Sequence, residues 1–337
     1  MGQVTGISWT DHTANFWWGC QRVSPGCEHC YAEQLAVTRR KLPVWGPPST
    51  TERKLIKSTW TDVPKWDRAA ARDGVRRRVF VSSMSDIFED HPQVSLWRAK
   101  ALALLGVCTN LDVQLLTKRP ENIRRMVPPS WLEAWPAHVW VGTTVEDQKR
   151  AEQRIPELLK VPARVRFLSC EPLLEAVNFD PLMCPTCGGH ETALADDDAT
   201  PICAEHGDEM VFGAWLDACA SEDQPGISWV IVGGESGSVA RPFDIAWARS
   251  IVAQCREAGV PVFVKQMGDN LINSALADVY GSDGKRLYTR IAGDSSFDEA
   301  RGVTVFRVEP YKMALHAHHG ADPSEWPVDL CVQEFPR

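Results

Sequence analysis

Six short β-rich runs, each closing on polar residues or glycine and each followed by a helix-like segment, constrain this chain more than any other feature. They are RVFVSSMSD (78–86), DVQLLTKR (112–119), HVWVGTTVED (138–147), RVRFLSCEP (164–172), SWVIVGGESG (228–237) and VPVFVKQMG (260–268). Between them lie segments with apolar residues at helical spacing, such as VSLWRAKALALLGVC, DQKRAEQRIPELLK and DIAWARSIVAQCREAG. Alternating strand and helix builds parallel βα units. A further strand just before Cys20 makes seven, which predicts a full or partial TIM-like (β/α) barrel rather than an open doubly wound sheet.

Reacting groups in such barrels sit at the C-terminal strand ends. Here those ends carry Ser83, Ser85, Asp86, Lys118, Thr144, Glu146, Glu171, Glu235, Lys265 and Gln266. Side chains alternate between the two faces of a strand, so Glu171 shares a face with Ser169 and Phe167, and Cys170 shares one with Leu168. With Glu171 in the barrel mouth, Cys170 is expected to pack outward against helices.

Two stretches break the βα rhythm. Residues 181–226 are expected to form a small zinc-binding insertion within a barrel that spans 1–270, and 271–337 a C-terminal cap. The 337 residues, 44% of them hydrophobic, are enough to bury a large core. The apolar runs are too short to cross a membrane, and the first eleven residues lack the pattern of a signal peptide, so a cytoplasmic protein is expected. A net charge of −8 argues against a broad basic face that coats nucleic acid but leaves open a local groove such as one near Arg76, Arg77 and Arg78, a run that reads first as a solvated loop.

Eleven cysteines in closely spaced groups, in a chain too long to need disulfide staples, point to metal ligation. Cys184, Cys187, Cys203 and His206 have the order C-x2-C, fifteen residues, C-x2-H, two close ligand pairs of the kind that fill a tetrahedral structural zinc site. Cys20, Cys27 and Cys30 differ. Three thiolates can hold an iron-sulfur cubane with one iron left free for another ligand, and Pro25 and Gly26 turn the loop that would wrap it. A zinc site completed by His29 or a more distant residue is the alternative.

At these residues the chain resembles the radical SAM enzymes, and more closely a phage and plasmid family of unassigned function, the three-cysteine-motif phage proteins, often encoded beside a three-Cys-motif partner protein. The resemblance is carried by ISWTDHTANFWWGCQRVSPGCEHCYAE, VFVSSMSDIFED, LLTKRPENI, VWVGTTVEDQKRAEQRIPELL, RFLSCEPLL, WVIVGGESGSVARPF and VPVFVKQMG, in order over most of residues 7–268, with DPSEWPVDLCVQEFP at the C-terminus. The motif order is also similar, more weakly, to that of the spore photoproduct lyase branch. Two departures stand out: the cysteines follow C-x6-C-x2-C instead of C-x3-C-x2-C, and His29 takes the usually aromatic or apolar position before the last cysteine.

The resemblance implies a 4Fe-4S cluster on Cys20, Cys27 and Cys30, with S-adenosylmethionine on the open iron. It places the methionine end of that cofactor near Ser83, Ser85 and Asp86, and its ribose near Thr143, Thr144 and Glu146. Reductive cleavage would give a 5'-deoxyadenosyl radical that removes a hydrogen from substrate, with electrons from a separate donor. Lys118, Glu171, Glu235 and Lys265 would line the substrate side, and their charges suit a polar or anionic substrate such as a nucleotide or nucleic-acid base. Glu235 with Arg241 is a further pair able to hold a polar group. The alternatives from other classes are a non-catalytic iron-sulfur or zinc-binding module working with a partner protein, and a zinc-dependent hydrolase or nucleic-acid-binding protein without iron.

Overall fold

The computed structural model describes residues 5–180, 215–216, 226–273 and 320–336 in full, together with the backbone of short strands at 182–183, 192–194, 201–203, 211–212, 295–298, 303–306 and 311–313. Seven parallel strands form one curled sheet, a half-barrel. They are β1 (His12–Ala14), β2 (Arg77–Val81), β3 (Leu111–Thr117), β4 (Val139–Thr144), β5 (Arg166–Cys170), β6 (Trp229–Gly233) and β7 (Val262–Gln266). Each strand pairs with its neighbours in chain order. A sheet wound in one direction keeps its crossovers on one face and curls around the other. The main crossover helices are α1 (Thr59–Asp73), α2 (Ser95–Val107), α3 (Gln148–Leu159) and α4 (Ile245–Glu257). Asp147 and Asp244 start α3 and α4 by accepting from the backbone N–H groups of Arg150 and Ala246.

The alternation expected in β5 runs through the whole sheet. Val79, Val113, Val141, Leu168, Val230 and Val264 pack into the large core beneath the helices, and Cys170 is buried there beside Leu168. The concave face carries aromatic residues instead: Phe80, Trp140, Phe167, Trp229 and Phe263, joined by Trp9. Trp229 sits among them, edge-on to Trp140 and Phe263 at 6.2 Å between ring centroids and tilted on Phe167 at 5.7 Å. These rings fill the lower lumen, so the barrel is a packed body with a polar upper end.

The first strand lies earlier than expected. His12–Ala14 joins the sheet, while Trp17–Trp18 leaves it and pairs antiparallel with Lys54–Leu55. Phe16 and Trp17 are both fully buried in the same core, and consecutive residues of a strand cannot share a face. Asn15 makes the turn between His12–Ala14 and Trp17–Trp18, donating to Ser83 Oγ at 2.9 Å and accepting from the Met84 N–H at 2.7 Å.

Residues 171–228 connect the neighbouring strands β5 and β6. Within this connection Leu182–Met183 pairs with Val211–Phe212, and Thr192–Leu194 with Pro201–Cys203. Of the expected zinc ligands, Cys184, Cys187 and His206 lie outside the described residues, and of Cys203 only the backbone is described.

The C-terminal tail packs on the barrel itself. It pairs along β7, with Val264 N–H donating to Val332 O and Glu334 N–H to Val262 O, and so covers an edge that would otherwise expose backbone groups. Phe335 then reaches the aromatic cluster, 5.2 Å from Phe263 and 5.6 Å from Trp229, with the Arg78 guanidinium 3.9 Å above its ring. The arginine run is not the solvated loop expected: Arg77 and Arg78 begin β2, and Arg76 and Arg78 pair with Asp112 at 2.6 Å and Asp11 at 3.5 Å. Among the described residues no helix is long and apolar enough to cross a membrane. Replacing the half-buried Phe335 with Ala should cost about 2 kcal/mol of stability, seen as a lower midpoint in chemical denaturation; an unchanged midpoint would show that the tail merely rests on the barrel.

Candidate functional site

The segment carrying the three clustered cysteines lies across the C-terminal mouth of the half-barrel. It starts beside β2, where Gly19 N–H donates to Met84 O at 3.1 Å. Gly19 has φ +110°, and a Cβ there would stand 2.2 Å from Val44 O, so this position admits no side chain. A 3-10 turn follows at Pro25–Cys27, then a helical turn at Tyr31–Glu33 that continues as a π-helix over Gln34–Arg39.

Little regular hydrogen bonding holds this segment; groups beyond four strand ends hold it instead, side chains at three of them and a backbone carbonyl at the fourth. At the end of β3, Arg119 donates to Gln21 O at 2.7 Å and lies 3.6 Å from Cys20 Sγ. Beyond β4, Glu146 accepts from Gly26 N–H at 3.3 Å. Beyond β6, Glu235 meets His29 Nδ1 at 2.9 Å, and Arg241 pairs with both Glu235 at 2.6 Å and Glu28 at 3.2 Å. Beyond β2, Ser83 O accepts from the Tyr31 hydroxyl at 2.9 Å.

Between this segment and the aromatic floor is a cavity of about 480 Å³. Cys20, Cys27 and Cys30 all line it, whereas the other described cysteines, Cys108, Cys170, Cys255 and Cys331, do not. Trp9 and Phe80 form part of its base, and Ser82, Ser85, Lys118, Thr144, Ser169, Glu171, Glu235 and Lys265 its walls. Burial pushes the Cys20 thiol up from its ordinary range, with the Arg119 charge pulling the other way. Burial also raises the Cys30 thiol, opposed by backbone N–H donors of the following turn and by Lys118. In the absence of a metal both are therefore neutral at pH 7. No three His, Cys, Asp or Glu side chains among the described residues converge on a point suited to a single metal ion.

Most residues expected at a site do meet here. Ser83, Ser85, Asp86, Lys118, Thr144, Glu171, Glu235 and Lys265 border the cavity together with the three cysteines. Their partners differ. Asp86 is saturated, accepting from Phe88 N–H, Thr117 Oγ1, Lys118 N–H and Arg119. Ser83 Oγ accepts from Asn15, while the hydroxyls of Ser82 and Ser85 find no partner among the described residues. Ser82 also holds a left-handed backbone, φ +68°, which bends the chain sharply where β2 ends. Lys118 donates to Thr144 Oγ1 at 3.3 Å, and Lys265 to Glu171 at 2.5 Å. The pairing of Glu235 with Arg241 expected from the sequence is present, but it ties the cysteine segment down.

Two expected residues do not reach the cavity wall. Thr143 has the opposite parity to Thr144, points away from the lumen and donates to Thr117 O at 2.9 Å. Glu146 lies past the end of β4 and turns back under the cysteine segment, fully buried, 2.6 Å from Arg154 of α3. Both are therefore structural parts of the site and not its lining. Arg119 is the main residue missing from the sequence reading; its only signal there is its place in TKRP, next to Lys118 at the end of β3. Trp45, which also borders the cavity, lies in a loop with no periodic pattern to mark it.

The Glu146 contacts set a pH dependence. Burial works against its charge, but Arg154, Lys118, Ser24 and Gly26 together hold the carboxyl below the usual range. A depressed folded-state pKa contributes stability that is present above the unfolded value, about 4.3, and is lost as pH falls through the folded value. Glu146→Gln should cost about 3 kcal/mol near pH 7, and the gap to wild type should close on acidification below about pH 4. Urea denaturation across pH reads this, and a gap independent of pH would refute the assigned charge pair.

No curated protein and no solved structure matches the chain, so family membership rests on a family model. That model matches residues 4–301, and the chain belongs to the family described as "Protein of unknown function (DUF5131)".

Proposed function

We propose that the chain is a radical SAM-like iron-sulfur enzyme acting on a polar or anionic substrate, with Cys20, Cys27 and Cys30 as the ligands of a 4Fe-4S cluster. One observation carries the reading: the three thiols of the C-x6-C-x2-C segment, and no other described cysteine, line one cavity at the C-terminal mouth of a parallel half-barrel. Thiolate is the donor type that iron-sulfur clusters take. His29 directs Nδ1 to Glu235, which speaks against its completing a closed zinc site through that atom. The cluster with S-adenosylmethionine would supply one-electron chemistry that removes a hydrogen atom from substrate.

The chain's own residues have definable tasks in this reading. Arg119 sets a fixed positive charge against Cys20 and so favours its thiolate. Of the three residues expected at the methionine end, Ser85 keeps an unpartnered hydroxyl, while Asp86 is committed to Arg119 and Ser83 to Asn15. Thr144 and Lys118 stand together on the opposite wall, and Lys265 with Glu171 offers a paired cation and carboxylate to a polar group of substrate. The aromatic floor and the pinned segment bound the space in which these groups meet.

Anaerobic reconstitution followed by EPR of the reduced protein, with and without S-adenosylmethionine, tests the proposal. The expected result is a 4Fe-4S signal that S-adenosylmethionine perturbs and that a Cys20→Ala, Cys27→Ala, Cys30→Ala variant lacks. A cluster indifferent to S-adenosylmethionine would indicate the non-catalytic module, and bound zinc without iron would remove the radical reading.

A further inference from the structure

We infer that the rim beside Cys20 binds single-stranded nucleic acid and presents an unstacked base to the cavity. The inference rests on reading that cavity as a substrate site, and it names the class of substrate. In a chain with a net charge of −8, the stretch between the cysteine helix and α1 carries Arg39, Arg40, Lys41, Lys54 and Lys57. All five are exposed, and none forms an ion pair with another described residue. Elsewhere on the described barrel Arg76, Arg78, Arg125 and Arg249 pair with Asp112, Asp11, Asp90 and Asp329. The exposed cations there without an ion pair, Arg68, Lys100, Arg124, Lys149, Arg164 and Arg256, are spread singly over separate elements instead of gathered in one stretch. Glu52 is the exposed carboxylate of the stretch.

The fold brings these charges to the cavity. The π-helix ends at Arg39, Lys41 with its φ of +54° then reverses the chain, and Gly46 N–H donates to Cys20 O at 3.0 Å. The buried Arg53 donates to Val44 O, Gly46 O and the Glu89 carboxylate, and so draws the returning arm with Lys54 against the outgoing one. Trp45, at the centre of this loop, lines the cavity and remains partly exposed, as does Tyr31 across the opening. Unpaired cations around aromatic side chains are the recurrent design for binding a nucleic-acid strand, phosphates on the cations and bases on the rings. The cavity volume of about 480 Å³ lies in the range of small-ligand sites. An enzyme that works on a base must take it out of a duplex or accept it already single-stranded. An acidic protein surface would use the same cations but would not need Trp45 at the cavity.

The test is fluorescence anisotropy with full-length protein and a labelled single-stranded oligonucleotide of about 12 nucleotides, compared with its duplex and with polyglutamate as competitor. Wild type should prefer the single strand. The Arg39→Gln, Arg40→Gln, Lys41→Gln variant should bind more weakly and flatten the slope of log affinity against log salt by about 0.7 for each phosphate it no longer neutralises. Trp45→Ala should weaken binding about tenfold, and Glu52→Gln should tighten it, a gain that misfolding cannot produce. Absent binding, equal binding of duplex, salt slopes unmoved by the triple substitution, or displacement by polyglutamate as effective as by the oligonucleotide would each overturn the inference, the last in favour of an acidic protein partner. Binding is read without iron or S-adenosylmethionine. Oligonucleotide binding in a protein that forms no cluster therefore removes only the radical reading, and a responsive cluster in a protein indifferent to oligonucleotides removes only this one.

Discussion

The buried pair Asp86–Arg119, 2.8 Å apart, is the interaction on which the mouth of this barrel depends. Asp86 takes hydrogen bonds from both β2 and β3 connections and so fixes two adjacent strand ends. Arg119, held charged by Asp86 despite its burial, extends from this base to Gln21 and Cys20. A buried ion pair offsets its desolvation only when its remaining donors and acceptors are satisfied. Asp86 is satisfied from the β2 and β3 connections, but the remaining Arg119 donors go to Gln21 O and Cys20 of the cysteine segment, so docking that segment and burying the arginine are coupled.

The same device recurs around the opening. Glu146 with Arg154 receives Gly26, Glu235 with Arg241 receives His29, and Glu89 with Arg53 secures the loop at Val44 and Gly46. Each pair leaves a lone pair or a donor for a group of an otherwise irregular segment. A loop rich in Cys, Pro and Gly has little intrinsic order, and fixed charges at several strand ends supply it from outside. The lower lumen is organised by the opposite physics: aromatic rings packed around Trp229, closed from below by Phe335. Apolar packing at one end and oriented charge at the other leave the polar cavity between them.

Much of this can be read from the residues in order. Alternation in RVRFLSCEP correctly separates Glu171 from Cys170, and polar strand ends correctly mark the side of the barrel on which the cavity opens. The same alternation separates Thr144 from Thr143, although both are expected at one ligand. Glu146 has the parity of Thr144 yet turns away, because the strand has ended and Arg154 of the next helix captures its carboxylate. The β-rich residues just before Cys20 suggest a strand there, but core burial of Phe16 and Trp17 together moves the first sheet strand back to His12–Ala14.

The sequence by itself determined what depends on near neighbours: the period-two strands, the 3.6-period helices, and three thiols close enough along the chain to share one loop. Only the tertiary structure decided which distant groups meet that loop. Arg119 reaches Cys20 across 99 positions, Glu146 reaches Gly26 across 120, and Glu235 reaches His29 across 206. No local pattern encodes such pairings. Strand register and the curl of the sheet bring the ends together, and desolvation then selects those partners that can satisfy one another's charge.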